Sequence, residues 1–308
     1  MPTQAAHKPR LLVLTDIGGD PDDQQSLVRL LVHSNEFQIE AIIPEHWAEH
    51  KQTPDEQMDR VRTCLAAYGQ VRDNLAQHAA GYPDEAHLQR ILKRGKTHVP
   101  FALDRDTLPD VSRMVGEGLE TEGSQAIVEI VDRPDPRPVD VNVWGGTADL
   151  AQALWTVREQ RSPEELAAFV SRIRVHAIGD QDDTGPWIRH HFPNLFYILD
   201  HARDGNKMRS CYRGMFLGGD ESLTSRAWID EHVRHNHGPL GALYPPQTWT
   251  GPNPHGALKE GDTPSWFYFY LNGLNVPSQP GWGGWGGRFA PNGAFYQDAQ
   301  DTAGEETS

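Results

Sequence analysis

An α/β fold is what this sequence of 308 residues predicts: a mostly parallel central sheet flanked by helices, followed by a loop-rich C-terminal part. Two observations carry the prediction. Short, apolar, β-branched runs of strand length alternate with longer stretches of helical character from residue 10 to residue 200, the pattern of an α/β domain. One of these runs, FQIEAIIP (37–44), is the short, β-branched apolar stretch expected of a buried parallel strand.

The elements follow in order. Residues 10–15 read as a buried strand that runs into the turn TDIGGDPDDQQS and then a helix from about 22 to 34. FQIEAIIP (37–44) is a second strand. The next helix starts at Thr53, a good N-cap, with Pro54 in the first helical position. Residues 123–133 suggest a helix, 138–146 a strand ending in glycines, and 147–160 a further helix. Residues 172–180 and 193–200 are two more strands. From about 205 the periodicity fades into glycine- and proline-rich loops, with helix-like TPSWFYFYLNGL between them. One domain over 8–295 and a polar, disordered tail over 296–308 are expected. No internal repeat is present.

At 37% hydrophobic and 23% charged, the chain can bury a core for one large domain. No apolar stretch approaches the ~20 residues that span a bilayer. The N-terminal MPTQAAHKPR lacks the apolar run of a secretory signal, which makes a cytoplasmic protein the expectation. Cys64 and Cys211 are the only cysteines; without metal-site spacing they read as reduced thiols. A formal net charge of -15 argues against nucleic acid and anionic membranes as partners.

Ligands of open parallel sheets bind outside the carboxyl ends of the strands. That directs attention to residues 15–23, 44–50, 144–149 and 179–186. In the first of these, Asp16, Asp20, Asp22 and Asp23 crowd one strand-to-helix turn. Helix capping by Asp20, with Asp22 and Asp23 in the first turn, accounts for one or two carboxylates. The remaining charge calls for a cation, and hard divalent ions take oxygen ligands. Both readings stay open on spacing alone.

The turn resembles the nucleoside hydrolase signature Asp-Thr-Asp-Pro-Gly-x-Asp-Asp, which holds Ca²⁺ at the end of the first strand. More closely, the chain is similar to the nucleoside-hydrolase-like domain of cellulose-binding proteins. RLLVLTDIGGDPDDQQSLVRLLVHSNEF, VWGGTADLAQAL, AIGDQDDTGPWIRHHFPNLFYI, HGPLGALYP and GDTPSWFYFYLNGLN carry the likeness over most of residues 10–290. The resemblance implies a Rossmann-type open sheet and a calcium site. Asp22 matches the aspartate that binds the sugar hydroxyls, and Asp23 matches a metal ligand. Asp16 matches the metal ligand and general base if two extra residues are accommodated in GGDP; in an ungapped match Gly18 stands there, and Asp20 is the substitute base. Ala148 falls where a threonine gives its carbonyl to the metal. Asp262 resembles the late metal-closing aspartate, with Gly261 in place of the preceding histidine, a departure that suggests a leaving group other than a standard nucleobase.

Other strand exits add substrate-binding candidates. Glu45, His46 and Trp47 leave the second strand: Trp47 is a stacking surface and Glu45 or His46 an acid, against a reading as ordinary loop residues. Asp180, Gln181, Asp182 and Asp183 suit sugar hydroxyls, or cap a helix. Trp282 and Trp285 in GWGGWGGRF are faces for sugar CH groups, or plugs into the core. No Gly-x-Ser-x-Gly, Gly-Lys-Ser/Thr or His-Glu-x-x-His motif occurs. The expected activity is a Ca²⁺-dependent hydrolysis of N-glycosidic or related glycosidic bonds in a small nucleoside or glycoside. The rival is a carbohydrate-binding protein that keeps the metal pocket without chemistry. Assembly into a homo-oligomer stays open.

Overall fold

The computed structural model describes residues 8–45, 52–99, 108–206, 209–217, 220–247, 256–273 and 275–299. Strands β1 (Arg10–Thr15), β2 (Gln38–Pro44), β3 (Val139–Val143), β4 (Ile173–Ile178), β5 (Phe196–Asp200), β6 (Phe289–Asn292) and β7 (Phe295–Asp298) form one sheet in the order β2-β1-β3-β4-β5-β7-β6. All neighbours pair in parallel except β6 and β7. The run of apolar residues in β1 has its reason here. Leu12 and Leu14 pack into a layer with Ile127, Leu154 and Ile188. Leu11 and Val13 face the opposite layer, with Leu27, Leu65 and Trp266. Both faces are covered, so no polar alternation is needed.

One layer holds α4 (Glu122–Asp132), α5 (Ala148–Gln160), α6 (Pro163–Val170) and α7 (Thr184–His191); the other holds α1 (Asp22–Val32), α2 (Pro54–Leu75) and α10 (Thr263–Phe267). Shorter helices α3 (Glu85–Ile91), α8 (Arg226–Ile229) and α9 (Gly238–Ala242) complete the described set. The expected start of α2 is met: Thr53 accepts from the Glu56 amide, Glu56 reaches back to Thr53, and Pro54 opens the helix. Among the described residues no helix is long and apolar enough to cross a membrane.

The strand exits line up. Thr15 pairs with Pro44, Leu14 with Val143, Val143 with Ala177, and Ile178 with Asp200. In the order 2-1-3-4-5 the crossovers reverse between β1 and β3, where the crevice of an open sheet lies.

Three expectations change. The helix-like 263–274 ends at Phe267, where Asn275 Nδ2 takes the Tyr268 carbonyl at 2.5 Å and Gly273 turns at φ 81°. The C-terminal part contains a hairpin, β6–β7, rather than loop alone. And the strand reaches Asp298, three residues into the segment read as tail, because Tyr296 and Gln297 pair with Ile198 and Leu199. Its polar residues misled: Asp298 is wholly buried.

Candidate functional site

The turn after β1 is built by its own polar groups. Thr15 Oγ1 donates to Asp23 Oδ1 and accepts from the Ile17 amide at 3.1 Å. The Gly19 amide reaches the Asp16 carbonyl at 3.2 Å, and Gly18 has φ 103°, a conformation glycine adopts without strain. Pro21 is the N-cap of α1 and makes no side-chain capping bond. The Asp20 carboxylate before it pairs with Lys259 Nζ. Asp22 and Asp23 lie in the first turn, where the helix dipole favours negative charge.

From the far end of the chain, Asp262 joins them at the head of α10. One carboxylate oxygen each from Asp22, Asp23 and Asp262 lies within 4.8 Å of the others. Asp262 Oδ2 is buried without a hydrogen-bond partner among the described residues. Asp16 sits against Asp23, with the two carboxyl groups in hydrogen-bond reach. Two glycines make room. A Cβ on Gly145, just after β3, would lie 2.7 Å from Asp16 Cβ, and one on Gly261 would lie 3.0 Å from Asp22 Oδ2. The glycine in place of a histidine before Asp262 thus keeps clear the space beside Asp22.

Burial is the largest influence on these groups. It lifts Asp16 and Asp22 to about 7, helped by the charge of Asp22 on the first and of Asp23 on the second. Asp23 and Asp262 are pushed well above the usual carboxylate range, again by burial and then by their acidic neighbours. Lys259 Nζ is 3.2 Å from Asp22 Oδ2, and burial brings it down to about 8 against the pull of Asp262 and Asp16. Lys259 and the Arg213 guanidinium, whose charge acts on Asp22, set two positive charges against the five carboxylates of Asp16, Asp20, Asp22, Asp23 and Asp262. The donor set is all oxygen, which fits a hard divalent cation such as Ca²⁺ or Mg²⁺.

The other expected residues lie elsewhere or play different parts. Asp182 accepts from the Thr147 amide at 2.9 Å, the Thr184 amide at 2.8 Å and Thr184 Oγ1 at 2.6 Å. Glu45 Oε1 accepts from the Asp149 amide at 2.8 Å. These donors stand at the heads of α5 and α7, so helix capping accounts for Asp182 and for one oxygen of Glu45. Asp180 forms a two-point pair with Arg189 at 2.7 Å, and Gln181 binds the Trp144 carbonyl. Ala148 is buried in the first turn of α5 among apolar side chains; the residue of that connection that closes on Asp16 is Gly145. His46 and Trp47 lie outside the described residues. Trp282 is 71% exposed and Trp285 46%, the latter also packing on Phe267 and Tyr270. Sequence reasoning missed Lys259, although it stands only three residues before Asp262.

The chain was compared with known proteins. The family model described as "Cellulose-binding Sde182, nucleoside hydrolase-like domain" matches residues 10–289. A solved nucleoside hydrolase-related hypothetical protein from Saccharophagus degradans, associated with carbohydrate metabolism, is similar at 34% identity over 98% of this chain and 67% of that one, with a TM-score of 0.76. The type III effector protein XopQ, solved with adenosine diphosphate ribose, is 13% identical over 87% of this chain and 69% of that one, with a TM-score of 0.42. No curated protein gives a significant match. The open sheet, the acidic turn at its switch point and the match along most of the sequence agree: this chain belongs to the Sde182 nucleoside hydrolase-like domain family.

Proposed function

We propose that the domain hydrolyses N-glycosidic or related glycosidic bonds of a small nucleoside or glycoside with the help of a divalent cation, calcium by preference. The convergence of Asp22, Asp23 and Asp262 within 4.8 Å, with an unpartnered buried oxygen on Asp262, carries this reading. A cation held there supplies charge to anchor sugar hydroxyls and makes a bound water more acidic. Asp16 is the base: its carboxyl stands within hydrogen-bond reach of Asp23, a residue that would hold the cation and its water. Asp20 is the weaker choice, since Lys259 engages it. Asp22, partly open to solvent with a side chain 14% exposed, faces the sugar diol as well as the cation.

Sugar release from a panel of nucleosides and glycosides, with and without chelator, tests the proposal. Release that chelator and Asp23→Ala both abolish is the expected result. Release indifferent to both contradicts it.

A second reading, carbohydrate binding without chemistry, draws on two observations. Lys259 already supplies a cation to Asp20 and Asp22, and Trp282 and Trp285 stand exposed on a glycine-rich loop. The family's description as cellulose-binding agrees with it. Oligosaccharide binding that Trp282→Ala weakens, with no release across the panel, would favour this reading.

A further inference from the structure

A second cluster of ligand-type side chains lies at the other side of the sheet exits. Asp200 ends β5, Asp298 ends β7, and Cys211 opens the short turn Cys211–Met215. One ligand atom from each, the cysteine Sγ included, lies within 4.8 Å of the other two. Asp200 and Asp298 are wholly buried. Each carboxylate spends one oxygen on the backbone: Asp200 Oδ1 accepts from the Tyr212 amide at 3.1 Å and Asp298 Oδ2 from the Cys211 amide at 2.8 Å. Those bonds orient both side chains and leave Asp200 Oδ2 and Asp298 Oδ1 without a donor.

A separate observation comes from β4. His176 is wholly buried, and neither ring nitrogen has a hydrogen-bond partner among the described residues. Its Nε2 lies 3.6 Å from the same Asp200 Oδ2, with the rings of Phe289 and Tyr268 packed edge-on at 5.1 and 5.3 Å. A buried imidazole with two unmet nitrogens is costly unless something takes a lone pair. Burial brings it down to about 3, so it is neutral and able to ligate.

We propose that His176, Asp200, Cys211 and Asp298 form a structural zinc site. The donor set of one imidazole, one thiolate and two carboxylates is of the zinc type, whereas calcium takes oxygen alone. Around a tetrahedral zinc, donors at about 2.0–2.3 Å stand about 3.3–3.8 Å apart. The Asp200, Cys211 and Asp298 donors lie within 4.8 Å of one another, and His176 Nε2 adjoins that group through Asp200 Oδ2 at 3.6 Å. Four protein ligands close the shell, so the ion is structural rather than catalytic. It ties β4, β5 and β7 to the turn that carries Tyr212. The Tyr212 ring in turn lies 3.5 Å from where a Cβ on Gly261 would stand, next to Asp262. The zinc thereby braces one wall of the acidic cluster, whatever that cluster does.

The alternative is a cluster that holds its own protons: the two carboxyl groups lie within hydrogen-bond reach of each other, and the Cys211 thiol, which burial pushes far up, reaches Asp298 and, at 4.0 Å, the Arg288 carbonyl. Cobalt(II) loading of the purified, metal-stripped chain separates the two, because cobalt bound to a thiolate absorbs in the near ultraviolet. The expected result is zinc in the protein as purified, and a thiolate–cobalt band that Cys64→Ser keeps and Cys211→Ser removes. Cys64 is the only other cysteine, so the Cys64→Ser spectrum assigns the band even if Cys211→Ser does not fold. No thiolate band in the wild-type protein, or a band lost in Cys64→Ser, overturns the site.

Discussion

Two groups of buried carboxylates occupy neighbouring strand exits, and they are satisfied in different ways. Glu45, Asp149 and Asp182 lie at the heads of α5 and α7. There Asp182 accepts four hydrogen bonds, and Asp149 accepts from the Lys96 amide at 2.7 Å and from Thr121 Oγ1. Asp16, Asp22 and Asp23 lie at the head of α1 and Asp262 at the head of α10. Thr15 and backbone amides of the turn bond the first three, Lys259 pairs with Asp20 and Asp22, and Asp262 Oδ2 has no hydrogen-bond partner among the described residues. Burial raises the pKa in both groups. A carboxylate with amide donors lined up on it is part of a helix cap. A set that converges within 4.8 Å around an unpartnered buried oxygen is suited to a cation.

The largest effect expected from breaking this contrast is at Asp23. Even residues that only orient a metal ligand cost 10–100-fold when removed, so Asp23→Ala should weaken calcium binding and any sugar release by at least about 100-fold, by calorimetry and product assay.

The next effect is on stability. Asp16 and Asp22 rise from 3.8 to about 7. The folded chain therefore holds more protons than the unfolded chain between about pH 4 and 7, and their contribution to stability falls as pH rises through that window. Calcium at about 100 times its Kd should restore about 2.7 kcal/mol at pH 7, and markedly less at pH 5, as read by denaturant titration.

In the capping group, Asp182→Ala strands the Thr147 and Thr184 amides. It should cost about 1–3 kcal/mol while leaving the calcium Kd unchanged. A shift in that Kd would mean that the two groups are not separate. The smallest expected change is at Lys259: Lys259→Met removes the competing ammonium and should tighten calcium binding by a few-fold, about 1 kcal/mol or less.

Much of the fold was legible because the information is local. β1 is a compact apolar run, β3 and β4 alternate apolar with polar residues at strand period, and Thr53-Pro54 declares its helix. The β6–β7 hairpin was legible too, in the glycine of Gly293-Ala294; Asn292 pairs with Phe295 across this two-residue loop, and Gly293, its first residue, has φ 62°. The polar look of YQDAQ outweighed it. The candidate site was legible only in part. Asp22 and Asp23 share one turn with Asp16, but whether Asp16 meets them depends on the Gly18 turn. Lys259, Gly145 and Gly261 act through close approach between distant segments, which no spacing reveals. The Asp200–Cys211–Asp298 cluster is hidden for the same reason: its residues come from two strands and a turn.

Calcium titration of three proteins by calorimetry tests the central claim most directly: wild type, Asp262→Asn and Asp182→Asn. The account predicts saturable binding to the wild type, loss of that binding in Asp262→Asn, and an unchanged Kd in Asp182→Asn. Binding that survives Asp262→Asn, or that disappears in Asp182→Asn instead, would contradict it.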